Sequence, residues 1–310
     1  MVVQQHRSGG GTRAVRALAV VGVMVAAAGC AGDGGGGDRA AADDRSGPGA
    51  VTAVRRAAAV LVGPGSGSAA AGSAEVVTSM ETAAGGTRVT IRGKGTYDFR
   101  NQSGRLKVVL PQDPAGEDEH RPITELLAPG ALYMMNRGAG VPADKWVRID
   151  TTALADGNLV TGGVTDPMAA AELLGGVSAV TYVGETDLAG VTVRHYRGTS
   201  DIGRAARRAS AASRGALTAA ANGFRTDTVP FDAYLDEQGR LRKVRHRFSF
   251  ANEGETREVV STTLLYGFGV TVSVPLPDAR DIYTGEIEQG RAAGTSDRTR
   301  AGSGPSPGRP

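Results

Sequence analysis

Alternating apolar and polar residues dominate the middle of the chain. In the stretch TRVTIRGKGTYDF (87–99), Val89, Ile91, Tyr97 and Phe99 fall on one side of a period-2 pattern, and the charged residues fall on the other. Successive side chains of a β-strand point to opposite faces of a sheet. The pattern therefore predicts a strand with one apolar face and one solvated face.

The same alternation returns in STTLLYGFGVTVSV (261–274) and predicts that Leu264, Tyr266 and Phe268 share an apolar face. Shorter alternating runs lie between the two stretches, and short glycine-bearing segments such as AAGG and DEQG separate consecutive runs. Turns of this kind join neighbouring antiparallel strands. We therefore expect one mostly antiparallel sheet of roughly ten strands.

Three stretches have helical periodicity instead. The first is AVTAVRRAAAVLVG, and the second is TDPMAAAELLGG (165–176). The second has Thr165 or Asp166 as its N-cap and Pro167 at its first helical position, which is a common way to begin a helix. The third stretch, 201–223, is rich in alanine and is predicted to form one long helix.

A sheet with one apolar face must bury that face against another layer. The predicted fold class is therefore α+β, with a large curved antiparallel β-sheet and a few helices that cover its concave face. Because the helices carry mainly small side chains, they fill little volume. The sequence leaves open whether the two layers enclose an apolar groove or collapse into a dense core.

The only cysteine, Cys30, follows a basic start and an uncharged run that ends in Ala27, Ala28 and Gly29. This arrangement is typical of an export signal. The small residues before the cysteine resemble the bacterial lipobox, although Ala27 stands where that motif usually has leucine. We predict that residues 1–29 are a lipoprotein signal peptide and that Cys30 is the lipidation site. An ordinary secretory signal and a retained membrane anchor are the alternatives.

The chain is expected to have four parts: the signal peptide, a flexible tether over 30–49, a single domain over 50–286 and a disordered tail over 287–310. The tether and the tail consist mainly of glycine, alanine and charged or polar residues without apolar periodicity. The predicted location is extracytoplasmic, with the lipid anchor in the outer face of the plasma membrane.

The charge balance changes once the signal is set aside. The whole chain has 35 lysines and arginines against 32 acidic residues. Three of those arginines lie in residues 1–29, which contain no acidic residue, so the mature chain is close to neutral. A nucleic-acid partner is therefore not expected.

The residues that support catalysis or metal binding do not form a recognisable set. The histidines His6, His120, His195 and His246 are scattered, and the sequence has no HExxH motif, no paired cysteines and no phosphate-binding loop with lysine. We expect His195 and His246 to be packed or surface residues. The sequence thus predicts no enzyme activity, no cofactor and no metal site.

A basic cluster lies in the third helical stretch, at Arg204, Arg207, Arg208 and Arg214. Two interpretations remain open. The cluster is a solvated helix face, or it meets anionic lipid head groups at the membrane or at the mouth of a pocket.

The order of several segments resembles a known family. These segments are GSAEVVTSMET, GGTRVTIRGKGTYDF, ITELLAPGALYMM, KWVRID, DPMAAAELLGGVSAVTYVGETDLAGVTVRHYRGTSDI and VPFDAYLDEQGRLRKVR. They resemble the actinobacterial lipoproteins of the LppX/LprA/LprF/LprG group over most of the predicted domain. The resemblance implies a half-barrel similar to the LolA/LolB carriers, and an acylated lipid or glycolipid as partner. The motifs are architectural, so they indicate the fold more firmly than the ligand.

If the interior is a lipid cavity, the apolar strand faces and the second helix are expected to line it. The candidate lining residues are Val89, Ile91, Tyr97, Phe99, Leu173, Leu174, Leu264, Tyr266 and Phe268. The alternative function is a closed scaffold lipoprotein that mediates protein–protein interaction or sensing at the cell surface, with a protein partner that the sequence does not specify. A connected apolar cavity of several hundred Å³ favours the carrier, and a filled interior favours the scaffold.

Overall fold

A computed structural model describes residues 47–62, 71–84, 87–111, 121–137, 140–161, 165–224, 226–252 and 255–285. The predicted signal peptide, Cys30, residues 31–46 of the predicted tether and the predicted tail over 287–310 lie outside the described residues. The first described helix begins at Gly47, which is slightly before the predicted start of the domain at residue 50.

Eleven strands form one sheet in which every neighbouring pair is antiparallel. The order across the sheet is β6-β5-β4-β3-β2-β1-β11-β10-β9-β8-β7, so two meanders meet where β1 pairs with β11. The strands are β1 (Ser73–Ala84), β2 (Thr87–Asp98), β3 (Ser103–Val109), β4 (Ile123–Ala128), β5 (Ala131–Met135), β6 (Trp146–Asp150), β7 (Val177–Leu188), β8 (Val191–Asp201), β9 (Thr228–Leu235), β10 (Leu241–Asn252) and β11 (Glu255–Tyr266).

Four described helices accompany the sheet: α1 (Gly47–Val62), α2 (Pro167–Leu173), α3 (Ile202–Arg208) and α4 (Ala211–Gly223). Within the described ranges, none is both long and apolar enough to cross a membrane. The predicted start of α2 is confirmed, because the Asp166 side chain accepts hydrogen bonds from the backbone N–H groups of Met168 and Ala169.

The prediction of one helix over 201–223 is wrong. The chain is extended at Ala209, and Ser210 then caps α4 by accepting a hydrogen bond from the backbone N–H of Ser213. Serine is a strong N-cap because its side-chain oxygen replaces a missing intrahelical acceptor. The break divides the longest predicted helix into two shorter ones.

One face of the sheet is covered by the helices. Leu265, Val76 and Leu106 are buried and pack in one cluster with side chains of α1 and α2. Residues directly opposite each other in an antiparallel pair have side chains on the same face, and Val76 is opposite Leu265. The sheet is open and curved, and the predicted α+β fold class is confirmed.

The predicted faces of Leu264 and Tyr266 are wrong. Leu264 is opposite Val77 and Lys243, on the side that faces away from the helices, and Tyr266 follows it there by strand alternation. Leu265 takes the covered position instead. Because a shift of one residue moves every side chain of a strand to the other face, two consecutive leucines left the register ambiguous.

The edge at β6 is extended by the segment after β11. Ile282 forms a parallel bridge with Trp146, and the backbone N–H of Tyr283 donates to the carbonyl oxygen of Trp146 at 2.8 Å. An uncovered strand edge exposes unpaired backbone groups to other chains. The bridge pairs part of this edge within the molecule.

Candidate functional site

The space between the helices and the sheet contains two apolar clusters. The first lies under α1 and α2 and includes Tyr97 and Phe99, whose ring centroids are 5.0 Å apart. The second lies under α3 and α4 and includes Phe224 and Phe248. Ile91 is half-buried and packs against both clusters, so the apolar interior is continuous from one cluster to the other.

The structure places the candidate lining residues in three groups. Those in the interior are Ile91, Tyr97, Phe99, Leu173 and Leu174. Val89 is 40% exposed near the β1–β2 hairpin, and Leu264 and Tyr266 lie on the outer face. Phe268 follows the end of β11 and is half-buried at the margin of the first cluster, where Arg240 and Arg242 lie over its ring.

A buried polar contact joins the sheet to the second helix. The Tyr97 hydroxyl donates to both carboxylate oxygens of Asp166, at 3.2 Å each. Asp166 also accepts from the backbone N–H groups of Met168 and Ala169, at 2.7 and 2.9 Å. Burial raises the pKa of Asp166 to about 6, against the effect of these hydrogen bonds. The contact therefore holds the start of α2 on β2.

A small cleft lies beside this contact. Its volume is about 40 Å³, and it lies between α4, the β4–β5 turn and the segment that contains Asn158. The side-chain oxygen of Asn158 is buried and has no hydrogen-bond partner among the described residues. A second cleft, of about 190 Å³, lies between α1 and the β9–β10 turn and has a polar lining that includes Arg56 and Glu237. Neither cleft is an apolar chamber of several hundred Å³.

A polar strip crosses the covered face where the two meanders meet. Thr78 of β1 lies directly opposite Thr263 of β11, and Ser261 lies opposite His246 of β10. Ser261 and Thr165 share a hydrogen bond of 2.6 Å between their hydroxyl oxygens. By contrast, the hydroxyls of Thr78 and Thr263 and the Nε2 atom of His246 are buried without a hydrogen-bond partner among the described residues.

His246 is neutral at physiological pH, because burial lowers its pKa to about 3. Its ring lies between Phe231 and Phe248, with centroid distances of 6.4 and 5.8 Å. Of the two positions expected for His246, packed or at the surface, the structure shows the packed one.

Glu125 is a buried acidic side chain of the interior. It is fully buried on β4, opposite Leu106 and Met134, and neither carboxyl oxygen has a hydrogen-bond partner among the described residues. Burial raises its pKa to about 8, although the nearby Arg137 lowers it in part. Glu125 is therefore mainly protonated at neutral pH.

The side chains of Thr78, Thr263, His246 and Glu125 share one chemical property: each is a neutral hydrogen-bonding group in an apolar interior. Neutral hydroxyl, imidazole and carboxyl groups can bind an ester, a hydroxyl or a protonated acid without desolvating a full charge. Sequence reasoning identified none of them as a ligand-binding group. A signal existed for Glu125, because it lies at the covered position of the alternation in ITELLA, between Ile123 and Leu127.

The outer face carries a separate charged cluster around Asp232. Its carboxylate accepts hydrogen bonds from Arg197 and Arg247, at 3.0 and 2.9 Å, and contacts His195 Nε2 at 2.8 Å. The His195 ring stacks on Tyr234 with centroids 4.4 Å apart. This cluster lies on the face opposite the helices, and among the described residues no group of histidine, cysteine and acidic side chains has the arrangement of a metal site.

The structure defines a class of protein: an open, curved antiparallel sheet with helices over one face and an apolar interior between the layers. No protein-family model matches the chain, and no curated protein is similar to it in sequence.

Among solved structures, the lipoprotein LppX of Mycobacterium tuberculosis is similar with a TM-score of 0.41 and 12% identity, over 74% of this chain and 100% of that chain. LprF from Mycobacterium bovis has a TM-score of 0.39 and 12% identity, over 74% of this chain and 97% of that one. The Pseudomonas aeruginosa MucA/MucB complex has a TM-score of 0.29 and 14% identity, over 77% of this chain and 62% of that chain. Likeness this distant assigns neither a family nor a ligand to the chain.

Proposed function

We propose that this protein is an extracytoplasmic lipoprotein, anchored through Cys30, that binds acyl chains of a lipid or glycolipid between its helices and its sheet and acts as a lipid carrier. The observation that carries the proposal is the set of neutral polar groups without partners in an otherwise apolar interior. Dry protein cores seldom keep such groups, because nearly all buried polar atoms in native proteins are hydrogen-bonded.

The energetics favour a guest molecule. A buried polar group without a partner costs about 1–3 kcal/mol, and a ligand ester or hydroxyl that binds it removes that cost. An acyl chain contributes about 0.8 kcal/mol for each buried CH₂ group, so a chain of about 16 carbons contributes on the order of 10 kcal/mol before the costs of ordering.

Binding requires the helices to move, since the clefts of about 40 and 190 Å³ do not hold an acyl chain. The helices α3 and α4 turn mainly small side chains towards the interior, including Ala205, Ala206, Ala216 and Ala220. Small side chains bury little apolar area, so separation from the sheet costs less than for a leucine-rich helix. The break at Ser210 separates α3 from α4, so that the two helices can move independently.

The proposed activity is binding and not catalysis. A catalytic site needs a nucleophile or base, a group that orients it and a place for the reacting atom. Among the described residues, His195 and Asp232 contact each other at 2.8 Å, but Arg197 and Arg247 also donate hydrogen bonds to the Asp232 carboxylate. We therefore assign this cluster to the stability of the outer face.

A closed scaffold is the second candidate. It is favoured by the close packing of the interior, where Tyr97, Phe99, Leu173 and Leu174 are almost fully buried. In that case the strand edges and loops would bind a protein partner, and the interior would not exchange its contents.

The deciding experiment is purification of the full protein from the membranes of its native host, followed by lipid extraction and mass spectrometry. The carrier predicts about one bound acylated lipid per protein, and displacement of that lipid by a fluorescent fatty-acid probe. Glu125→Leu should weaken probe binding, whereas Glu258→Leu, at an exposed position of β11, should leave it unchanged. Absence of both the co-purified lipid and probe binding would favour the scaffold.

A further inference from the structure

Arginines from two helices meet at one turn of the structure. The short 3₁₀ turn Leu174–Gly176 follows α2, and both α1 and α3 pack against it. Arg55 of α1 donates from Nε and Nη2 to the carbonyl oxygen of Val177, at 3.1 and 2.7 Å. Arg208 of α3 donates to the carbonyl oxygen of Gly175 at 2.7 Å. The turn therefore holds two guanidinium groups close together.

Positive charge accumulates at this place without matching acids. Burial, followed by the proximity of Arg208 and Arg204, lowers the pKa of Arg55. None of the ion pairs found among the described residues includes these three arginines. Asp201 accepts a hydrogen bond from the backbone N–H of Arg204, and Glu172 Oε1 accepts one from the backbone N–H of Ser210. Glu172 Oε2 is buried without a hydrogen-bond partner, and neither carboxylate forms an ion pair with the three arginines among the described residues.

An arrangement of like charges is stabilised by a bound anion. A guanidinium has five N–H donors, and the contacts to Val177 and Gly175 use only some of them on Arg55 and Arg208. Phosphate is a matching anion, because its oxygens accept paired hydrogen bonds from a planar guanidinium.

We propose that Arg55, Arg204 and Arg208 form a binding site for the phosphate groups of anionic phospholipids, and that this site orients the protein on the membrane. The position of α1 favours a membrane as the source of phosphate. Only residues 31–46 separate Cys30 from α1. For a tether of that length the root-mean-square reach is roughly 20–24 Å. The choice of a membrane thus rests on the anchor at Cys30 proposed above, which would keep α1 within roughly that distance of the lipid head groups.

A second basic surface provides a matched control. Arg92, Lys94 and Lys107 are exposed on the outer face of β2 and β3, and Lys94 lies directly opposite Lys107. Replacing these three residues by glutamine removes the same charge as replacing the three helix arginines. A difference between the two triple variants therefore reports the position of the charges and not the net charge.

The test uses the chain from residue 30 onward with Cys30→Ser, so that no acyl anchor contributes. Sedimentation with phosphatidylcholine vesicles, with and without phosphatidylglycerol, measures binding. We expect salt-sensitive binding only to the anionic vesicles, a loss of about tenfold or more in Arg55→Gln/Arg204→Gln/Arg208→Gln, and a smaller loss in Arg92→Gln/Lys94→Gln/Lys107→Gln. Inorganic phosphate should compete more strongly than chloride at equal ionic strength.

The proposal is overturned if the two triple variants bind equally well, or if the outer-face triple loses more. Failure of phosphatidylglycerol to promote binding also overturns it. Arg204→Glu keeps the contacts of Arg55 and Arg208 with the carbonyl groups of the turn. If the triple helix variant does not fold, this single variant tests the proposal instead. It should bind the anionic vesicles at least about threefold more weakly than the parent protein. The result is independent of the interior ligand, because it concerns the outside of α1 and α3.

Discussion

Thr78 and Thr263 lie directly opposite each other on the covered face of the sheet, where β1 pairs with β11 and the two meanders meet. Both hydroxyls are buried, and neither has a hydrogen-bond partner among the described residues. This places two unused donors at the centre of the interior. Replacing these two threonines therefore tests whether the interior is a packed core or a binding site.

The double variant Thr78→Val/Thr263→Val is expected to be as stable as the parent, or more stable by about 1–2 kcal/mol, because it removes two unpartnered polar groups and keeps the side-chain shape. The same variant should bind the fatty-acid probe more weakly. Urea unfolding and probe fluorescence measure the two effects. A large loss of stability would mean that the hydroxyls have partners in the free protein.

Glu125→Gln should change the pH dependence of stability. The pKa of Glu125 in the folded protein is about 8, against 4.5 for the ordinary side chain, so the folded state holds the proton more tightly. Protonated Glu125 makes its full contribution to the free energy of unfolding below about pH 4.5. As the pH rises from there to about 8 that contribution is lost, and the free energy of unfolding falls by up to about 1.4 kcal/mol per pH unit. Unfolding at several pH values in this window should show a smaller decline in the glutamine variant. Parallel curves for the two proteins would contradict the burial of an unpartnered carboxyl.

His246→Leu should act at the acidic side. Burial lowers the pKa of His246 to about 3, so the unfolded chain takes up a proton at its ordinary pKa of 6.5 while the folded protein does not. The free energy of unfolding therefore falls as the pH drops from about 6.5 towards 3, and the leucine variant should lose less stability over that interval. His195→Leu replaces a histidine on the outer face, leaves the interior unchanged and serves as a comparison.

Tyr97→Phe removes the hydroxyl that donates to Asp166. We expect a loss of about 1–2 kcal/mol at neutral pH, since a buried carboxylate loses one of its donors. The pKa of Asp166 should rise further above 6, because this hydrogen bond favours the ionised form. Unfolding measured as a function of pH reports both changes, and an unaltered midpoint would show that the contact is not maintained in solution.

A cross-link between the sheet and the helices should block ligand entry if the helices must move. The Gln102 side chain donates to the Ser210 hydroxyl at 2.9 Å, so these two side chains already meet. In a Cys30→Ser background, Gln102→Cys/Ser210→Cys bridged by a short, cleavable thiol reagent should lose probe uptake and regain it on cleavage. Uptake by the bridged protein would show that α4 need not move.

Much of the fold follows from local patterns. The alternation around Tyr97 predicted β2 with the correct face, and the Asp166–Pro167 pair predicted the start of α2. Both signals are local, since strand alternation and helix capping depend on neighbouring residues only. The register of β11 was not predictable in this way, because Leu264 and Leu265 satisfy the alternation equally well until β1 and β10 select one of them.

The candidate site depends even more on distant contacts. Thr78 and His246 are ordinary residues in sequence, and each becomes unusual only because strands from distant parts of the chain place it on the covered face. The arginine site is similar, since Arg55 and Arg208 are far apart in sequence and meet at a turn that neither helix contains.

The sequence by itself determined the class of fold, the antiparallel winding of the strands and the small size of the helix side chains that face the sheet. Only the tertiary structure decided which of two adjacent leucines faces the interior and which polar groups lose contact with water. The reason is physical: alternation and capping arise between neighbours in the chain, whereas burial and the shift of a pKa arise from every segment that packs around a side chain.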